Sequence, residues 1–265
     1  MNNSIQQLLD IMAQLRNPEF GCPWDQQQDF ESLTTYTIEE AYEVADAVDQ
    51  QDYEHLEEEL GDLLFQVVFY AQLAEEKGLF DFNDVVQKLN TKMIERHPHV
   101  FTENKKNLSA EQQNTLWEQI KFKQRAKSNS TSKPNSVLDD IPDNLPELLK
   151  SIKLTKRAAV IGFDWPDIDP VFTKMDEEIG ELKEAMATGN NTLIKDELGD
   201  VLFVCTNLAR HLKIDPQLAL RHANMKFEKR FRAVEKLTQE KYPTETFFDL
   251  SLLDGLWTEV KKKEK

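Results

Sequence analysis

A twice-repeated spacing of acidic residues constrains this chain more than any other feature of its sequence. Each copy has the pattern EExxE, and an ExxD pattern begins sixteen positions after its last glutamate. The acids are Glu39, Glu40, Glu43, Glu59 and Asp62 in the first copy and Glu177, Glu178, Glu181, Glu197 and Asp200 in the second. Acids three residues apart share one face of a helix. Two such pairs folded together would gather four carboxylates, whose repulsion indicates a hard divalent cation between them.

Other motifs recur in the same order in both halves, which predicts a tandem repeat. They are GxxW (Gly21 to Trp24, Gly162 to Trp165), KxxxR (Lys92 and Arg96, Lys226 and Arg230) and WxxxK (Trp117 and Lys121, Trp257 and Lys261). Residues 127–137 are polar, rich in serine and interrupted by Pro134, which is typical of a linker. We therefore predict one repeat over residues 1–126 and a second over residues 138–265.

Helix-forming residues and apolar spacing predict a helical hairpin in each half. The predicted helices cover residues 34–48, 56–74, 170–187 and 192–212. The midpoint between matching acids falls at Gln51 in the first hairpin and at Gly189 in the second. Antiparallel helices that bend at these residues would bring their four acids to one level, about 10 Å from the bend at 1.5 Å per residue. The predicted fold class is therefore all-α.

The bulk composition excludes several classes of protein. A formal net charge of −16 argues against a nucleic acid polymer as the main partner, and 40% hydrophobic residues are too many for a disordered chain. The most apolar stretch, residues 60–71, contains Asp62 and is too short to span a membrane. The two cysteines, Cys22 and Cys205, are expected to be reduced thiols, which favours a cytoplasmic protein.

The candidate ligands of each copy are all carboxylates, which favours Mg²⁺, with Mn²⁺ as a possible substitute. A di-iron bundle would need a Glu-x-x-His motif on two of its helices, and neither copy has that histidine. Carboxylate-bound Mg²⁺ commonly serves phosphate chemistry. Each KxxxR motif is then a candidate phosphate clamp, although the motif alone is more typical of a surface pair.

The aromatic residues leave more than one interpretation open. Trp117 and Trp257 either pack in a core or line the ligand pocket, with Lys121 or Lys261 one helical turn away. We interpret four other residues as structural or surface residues, namely Trp24, Trp165, His97 and His99. Residues 63–70 are apolar nearly all round the helix, which predicts packing between the halves or a homodimer.

These motifs resemble the all-α MazG-type nucleoside triphosphate pyrophosphohydrolases, in particular their tandem-repeat bacterial members. The resemblance lies in GCPWD at residues 21–25, EELGDLLFQVVFYA at residues 58–71 and ERHPHVF at residues 95–101. It implies Mg²⁺-dependent cleavage of a nucleoside triphosphate between its α and β phosphates, giving a monophosphate and pyrophosphate, with broad use of bases. The last four acids of each copy would then hold the metal, and the first, Glu39 or Glu177, would orient or deprotonate the attacking water.

The second copy is better supplied with positive charge for a triphosphate. Lys174 and Lys195 stand where the first copy has Tyr36 and Glu57, and Lys229 and Arg232 lie beside Lys226 and Arg230 of its clamp. We therefore predict that the second repeat carries most of the activity, with Lys174 and Lys195 among its substrate-binding residues. Two alternatives remain: a regulatory module that binds metal and nucleotide with little catalysis, acting through an unidentified protein partner, and a helical scaffold whose acids serve only solubility.

Overall fold

The structure is a computed structural model that describes residues 2–101, 109, 113, 116–117, 120 and 136–264. Residues 121–135, which include Lys121 and most of the predicted linker, lie outside the described residues. The predicted all-α class is confirmed, since no strand occurs within the described ranges. The helices are α1 (Asn2–Leu15), α2 (Pro23–Gln27), α3 (Leu33–Gln50), α4 (Tyr53–Glu76), α5 (Phe82–Arg96), α6 (Pro98–Phe101), α7 (Glu147–Val160), α8 (Asp169–Thr188), α9 (Asn191–His211), α10 (Pro216–Lys241) and α11 (Leu250–Lys263).

The chain divides into two compact units after Trp117. The finer boundaries that we gave to the repeats and the linker stay predictions. In the first unit, α1 and α3 both pack on α4. Their core contains Met12, Leu33, Val68, Phe69 and Leu73. No helix in the described parts of the chain has the length and apolar character needed to cross a bilayer.

The first predicted hairpin is formed by α3 and α4. Its bend is at Gln51, which has a left-handed backbone with φ of 58°. Asp52 then caps α4, because its carboxylate accepts a hydrogen bond from the backbone N–H of His55 at 3.1 Å. Both helices extend two or three residues past the predicted range at most ends. The bend therefore falls where the midpoint of the acids placed it.

The second hairpin, α8 and α9, repeats this design with residues better suited to it. Gly189 takes the left-handed conformation at the bend with φ of 68°, which glycine adopts without steric cost. Asn190 caps α9 by accepting hydrogen bonds from the N–H groups of Thr192 and Leu193. The helix ends lie within about one residue of the predicted ones.

In each unit, one arginine donates hydrogen bonds to backbone carbonyls of a nearby non-helical or short helical segment. Arg16 donates to both carboxylate oxygens of Glu76 at 2.7 Å and to the backbone carbonyls of Asp25 and Gln28. In the second unit, Arg157 donates to the backbone carbonyls of residues 137, 139 and 140. Each arginine lies five residues before the glycine of GxxW. The repeat therefore includes these structural arginines as well as the acids. Farther on, α10 packs on α11 around Val234, Leu256 and Val260.

Candidate functional site

The first hairpin brings its acids together at one level. Carboxylate oxygens of Glu40 and Glu43 on α3 and of Glu59 on α4 all lie within 4.8 Å of one another. Glu59 is buried, with 7% of its surface exposed. Burial is the largest cause that raises the pKa of Glu40, followed by the charge of Asp62. The fourth predicted ligand, Asp62, is therefore close enough to act on the same cluster.

A histidine that our sequence reasoning missed adjoins this cluster. His55 Nε2 lies 2.6 Å from Glu59 Oε1, one turn earlier on α4. Burial and then Glu43 raise the pKa of Glu59, and His55 opposes that rise. The spacing of four residues between His55 and Glu59 could have revealed this pair in the sequence.

The second hairpin forms the matching cluster. Carboxylate oxygens of Glu178 on α8 and of Glu197 and Asp200 on α9 lie within 4.8 Å of one another. A hydrogen bond with Glu178 is the largest cause that raises the pKa of Glu181, which attaches the fourth acid to the group. Burial, then Asp200 and Glu178, raise the pKa of Glu197. In each hairpin three acids thus converge and the fourth acts electrostatically on the same group.

Lys174 supplies a positive charge inside the second cluster. Its Nζ lies 2.8 Å from Glu177 Oε1 and 2.8 Å from Glu178 Oε1. These two hydrogen bonds are the largest causes that raise the pKa of Lys174. Glu178 is only 5% exposed, so the ammonium group compensates a carboxylate that water cannot solvate well. Glu177, the predicted water-activating residue, is exposed and held by the same lysine.

Lys195, the other lysine predicted to serve this cluster, is exposed on α9. It is two residues from Glu197, which puts the two side chains about 200° apart around the helix. Lys174, in contrast, is among the charges that act on Glu197 and lower its pKa. The structure therefore places Lys174 at the acids, and a role for Lys195 in substrate binding stays a prediction.

The second basic motif forms a group of its own on α10 and α11. Arg230 donates to Glu264 at 2.8 Å, and its guanidinium lies 6.0 Å from the centre of the Trp257 ring. Arg230, Lys229 and Lys226 lower the pKa of Glu264, with Arg230 the largest cause. Lys261 is exposed on α11. The structure thus joins Arg230 to Trp257, and the binding of phosphate by this group stays a prediction.

The corresponding residues of the first unit are less completely described. Lys92 is exposed and Arg96 is half-buried, both on α5. Trp117 packs against His97, with ring centres 5.2 Å apart. Lys121 lies outside the described residues, and Glu39 is exposed on α3. The packing of His97 on Trp117 agrees with a structural role for that histidine.

The GxxW tryptophans lie near the surface in both units. Trp24 meets Tyr36 edge to face, with ring centres 5.7 Å apart, and 48% of its surface is exposed. Trp165 helps to line a cavity of about 550 Å³ with Phe163 and Phe203. Arg210 and Asp164 also line that cavity and form an ion pair with each other. These contacts fit the structural interpretation of Trp24 and Trp165.

The donor set of each cluster fits a hard divalent cation. All the convergent ligand atoms are carboxylate oxygens, the ligands that Mg²⁺ and Mn²⁺ prefer. Crowding and burial raise the pKa values of Glu40, Glu59, Glu181 and Glu197, which shows that each cluster is short of positive charge. A cation would supply that charge.

Comparison with known proteins gives consistent matches. A model described as the MazG nucleotide pyrophosphohydrolase domain matches residues 28–101 and, again, residues 171–235. A protein of Escherichia coli (strain K12) named nucleoside triphosphate pyrophosphohydrolase is 46% identical over 264 residues, covering 99% of this chain and 98% of that protein. A Thermotoga maritima protein named nucleoside triphosphate pyrophosphohydrolase/pyrophosphatase MazG is 40% identical over 256 residues, covering 97% and 95%. A crystal structure of a mazG-related protein from Thermotoga maritima covers 44% of this chain and 97% of that chain at 32% identity, with a TM-score of 0.38.

Proposed function

The chain belongs to the MazG nucleotide pyrophosphohydrolase family, and from that premise we propose that it is a Mg²⁺-dependent nucleoside triphosphate pyrophosphohydrolase. Membership confirms the resemblance seen in the sequence. The proposed reaction adds water to a nucleoside or deoxynucleoside triphosphate and cleaves it between the α and β phosphates. The products are a nucleoside monophosphate and pyrophosphate.

The assembly of the same acids in both hairpins is the observation that carries this proposal. Both matched segments of the family model, residues 28–101 and 171–235, contain a full set of the predicted ligands. In the second repeat Glu178, Glu181, Glu197 and Asp200 would hold the cation, and in the first repeat the equivalent acids would do so. When bound, Mg²⁺ neutralises phosphate charge and lowers the pKa of a coordinated water.

The side chains around the acids would divide the remaining work. Glu177 is exposed and adjoins Glu178, and its carboxylate would accept a proton from water once Lys174 moves away. Glu39 has the equivalent place in the first repeat. Lys174 would then donate hydrogen bonds to the triphosphate, which carries enough negative charge to compete with Glu177 for the ammonium group.

We assign most of the activity to the second repeat, because among the described residues a lysine contacts the acids of that cluster and not those of the first. The pair of Arg230 and Trp257, with Lys226 and Lys261 on the same two helices, supports nucleotide binding in this unit. We propose broad base specificity, since the predicted contacts are made mainly to phosphate. Free thiols at Cys22 and Cys205 support a cytoplasmic location.

A homodimer is the assembly that we propose. Apolar side chains are exposed in rows on the hairpin helices, at Leu60, Leu64 and Val67 of α4 and at Leu198 and Leu202 of α9. Rows of this kind on single helices favour burial against another helical surface. Sedimentation of the purified chain would measure the assembly, and a monomer at micromolar concentration would contradict it.

The decisive experiment is product analysis on a panel of ribo- and deoxyribonucleoside triphosphates with Mg²⁺. We expect equimolar monophosphate and pyrophosphate, and no turnover with a chelator. Release of orthophosphate instead would contradict the assigned bond. Tight nucleotide binding without turnover would favour the regulatory module over the enzyme.

A further inference from the structure

A buried amide oxygen of the first unit has no hydrogen-bond partner among the residues that the structure describes. Gln66 on α4 is 7% exposed, and its carbonyl oxygen Oε1 is buried without a hydrogen-bond partner among the described residues. A buried polar atom left unsatisfied costs about 1–3 kcal/mol, so buried polar atoms in native proteins nearly always have a partner in protein, water or a ligand. The position therefore needs a ligand or another source of a donor.

Gln66 continues the acidic face of α4 toward the interior of the unit. It stands four residues after Asp62 and seven after Glu59, so helical periodicity puts all three on one face. Four residues of helix correspond to about 6 Å, one turn farther from the bend than Asp62. In the antiparallel hairpin, Tyr36 and Thr37 of α3 lie at the matching level.

The neighbouring positions extend this polar character. The hydroxyl groups of Thr37 and Tyr70 are hydrogen-bonded at 3.3 Å, across the hairpin from each other. Tyr70 lies one turn beyond Gln66 on α4, and Tyr36 meets Trp24 edge to face. Helical spacing thus puts an amide, two hydroxyl groups and an aromatic pair on the helix turns next to the first cluster.

The second repeat has apolar residues at the same positions. Val204 stands seven residues after Glu197, where the first repeat has Gln66, and it is 5% exposed. Met175 and Leu208 occupy the positions of Thr37 and Tyr70. A core position needs no amide for packing, as Val204 demonstrates. The polar set of the first repeat is thus a difference between the two sites and not a requirement of the hairpin.

We propose that Gln66 is a specificity residue of the first repeat, whose amide binds a hydrogen-bond donor on the nucleoside part of a nucleotide held at the neighbouring acids. This inference rests on the proposed function, since it places triphosphate and cation at the first cluster. Oε1 of Gln66 would accept the donor, which is either a sugar hydroxyl or an amino group of the base. The second repeat, with Val204, does not make this distinction.

Binding measurements on the full chain test the proposal. Glu178→Gln with Glu197→Gln removes cation ligands from the second site, so titration with Mn²⁺ and nucleotide reports on the first. The probes are α,β-methylene forms of ATP, dATP, 2′,3′-dideoxy-ATP and purine riboside triphosphate. The dATP form lacks the 2′-hydroxyl, the dideoxy form lacks both sugar hydroxyls and the purine riboside form lacks the amino group, so the comparisons with ATP identify which donor is bound.

We expect the parent to prefer at least one donor-bearing nucleotide over its donor-lacking analogue by about tenfold, the size of one unsatisfied buried partner. Gln66→Val, which copies the second repeat, should remove this preference and raise the melting temperature of the ligand-free chain. Gln87→Val, the same change at an exposed position of α5, should leave the preference intact. Val204→Gln, with the first site disabled by Glu40→Gln and Glu59→Gln, should create a preference in the second site.

Preferences that Gln66→Val leaves unchanged, or a parent without any preference, would overturn the assignment of Gln66 alone. If the first site bound Mn²⁺ but no nucleotide, the assignment of Gln66 would be overturned. The first repeat would then not be a nucleotide-binding site. Release of pyrophosphate by the wild-type chain would still stand as a separate test of the proposed function. The two failures are therefore distinguishable.

Discussion

The two repeats place the same acids on equivalent hairpins but put a different basic side chain beside them. In the first, His55 contacts Glu59 at 2.6 Å from within α4. In the second, Lys174 contacts Glu177 and Glu178 at 2.8 Å from within α8. A lysine ammonium group can only donate hydrogen bonds, whereas an imidazole ring can donate or accept them. The difference indicates that the same arrangement of acids can take on different properties when a single neighbouring basic residue is changed.

Removal of one carboxylate from each cluster in turn is the most direct test of whether the two repeats differ in activity. Glu178→Gln should lower kcat/KM for pyrophosphate release by about 100-fold or more, because an essential cation ligand is lost. Glu40→Gln, the equivalent change in the first repeat, should lower it only a few-fold. Steady-state kinetics with Mg²⁺ measure both variants. The exposed Glu184→Gln on α8 is the control, and equal losses for Glu178→Gln and Glu40→Gln would refute the assignment of activity to the second repeat.

Cation binding should stabilise the folded chain, since only the folded state assembles the acids. At a concentration 100 times the dissociation constant, one site contributes about 2.7 kcal/mol. We expect Mg²⁺ or Mn²⁺ to raise the melting temperature, measured by calorimetry, and Ca²⁺ to do so less. The combined variant Glu59→Gln with Glu197→Gln should lose most of the shift. An unchanged melting temperature in the wild-type chain would support the scaffold in place of the metal site.

Replacement of the internal lysine should sharpen the difference between the repeats. Lys174→Met leaves Glu178 buried without its countercharge, so the metal-free chain should lose about 1–3 kcal/mol of stability. Affinity for the triphosphate should also fall, by about tenfold if one charge-assisted contact is lost. Denaturation and equilibrium binding measure the two effects. Lys183→Met, on an exposed part of α8, should change neither. Unchanged stability and affinity after Lys174→Met would show that the two ion pairs do not matter in solution.

The smallest predicted effect concerns pH and the first cluster. The fold raises the pKa of Glu59, so it favours the protonated carboxyl, and this stability is present at low pH and is lost as pH rises above about 4.5 through the raised pKa. Glu59→Gln mimics the protonated form. It should therefore raise the melting temperature of the metal-free chain at pH 7 and change it less at pH 4. A larger increase at pH 4 than at pH 7 would contradict the direction of the pKa shift.

The sequence predicts the hairpins and the acid clusters well, because both follow from helical periodicity and from a symmetric distance to the bend. Gln51 and Gly189 are at the predicted turns for this reason. Contacts that depend on side-chain rotamers were not predictable in the same way. Sequence position alone gave Lys174 and Lys195 the same role, and only the structure separates the lysine at the acids from the exposed one.

Contacts between side chains that are far apart in the sequence of a unit could not be predicted from the motifs either. The ion pair of Arg230 with Glu264 joins α10 to the end of α11, and neither residue type nor spacing indicates it. Gln66 was visible only as a polar residue in an apolar stretch. Its significance depends on burial and on the absence of a partner in the described residues, which are properties of packing.

The left-handed bends at Gln51 and Gly189 are the points from which the position of each acid along its helix is counted. Every residue of helix between the bend and the acids rotates a side chain by about 100° and advances it by about 1.5 Å. A residue inserted in one arm, between Ala185 and Gly189, would turn Glu178 and Glu181 away from Glu197 and Asp200 while leaving all four in the chain. Extra residues accommodated wholly within the loop would leave the acids of both helices facing each other. The number of helical residues between the bend and the acids is therefore more tightly constrained than the residue types of the turn.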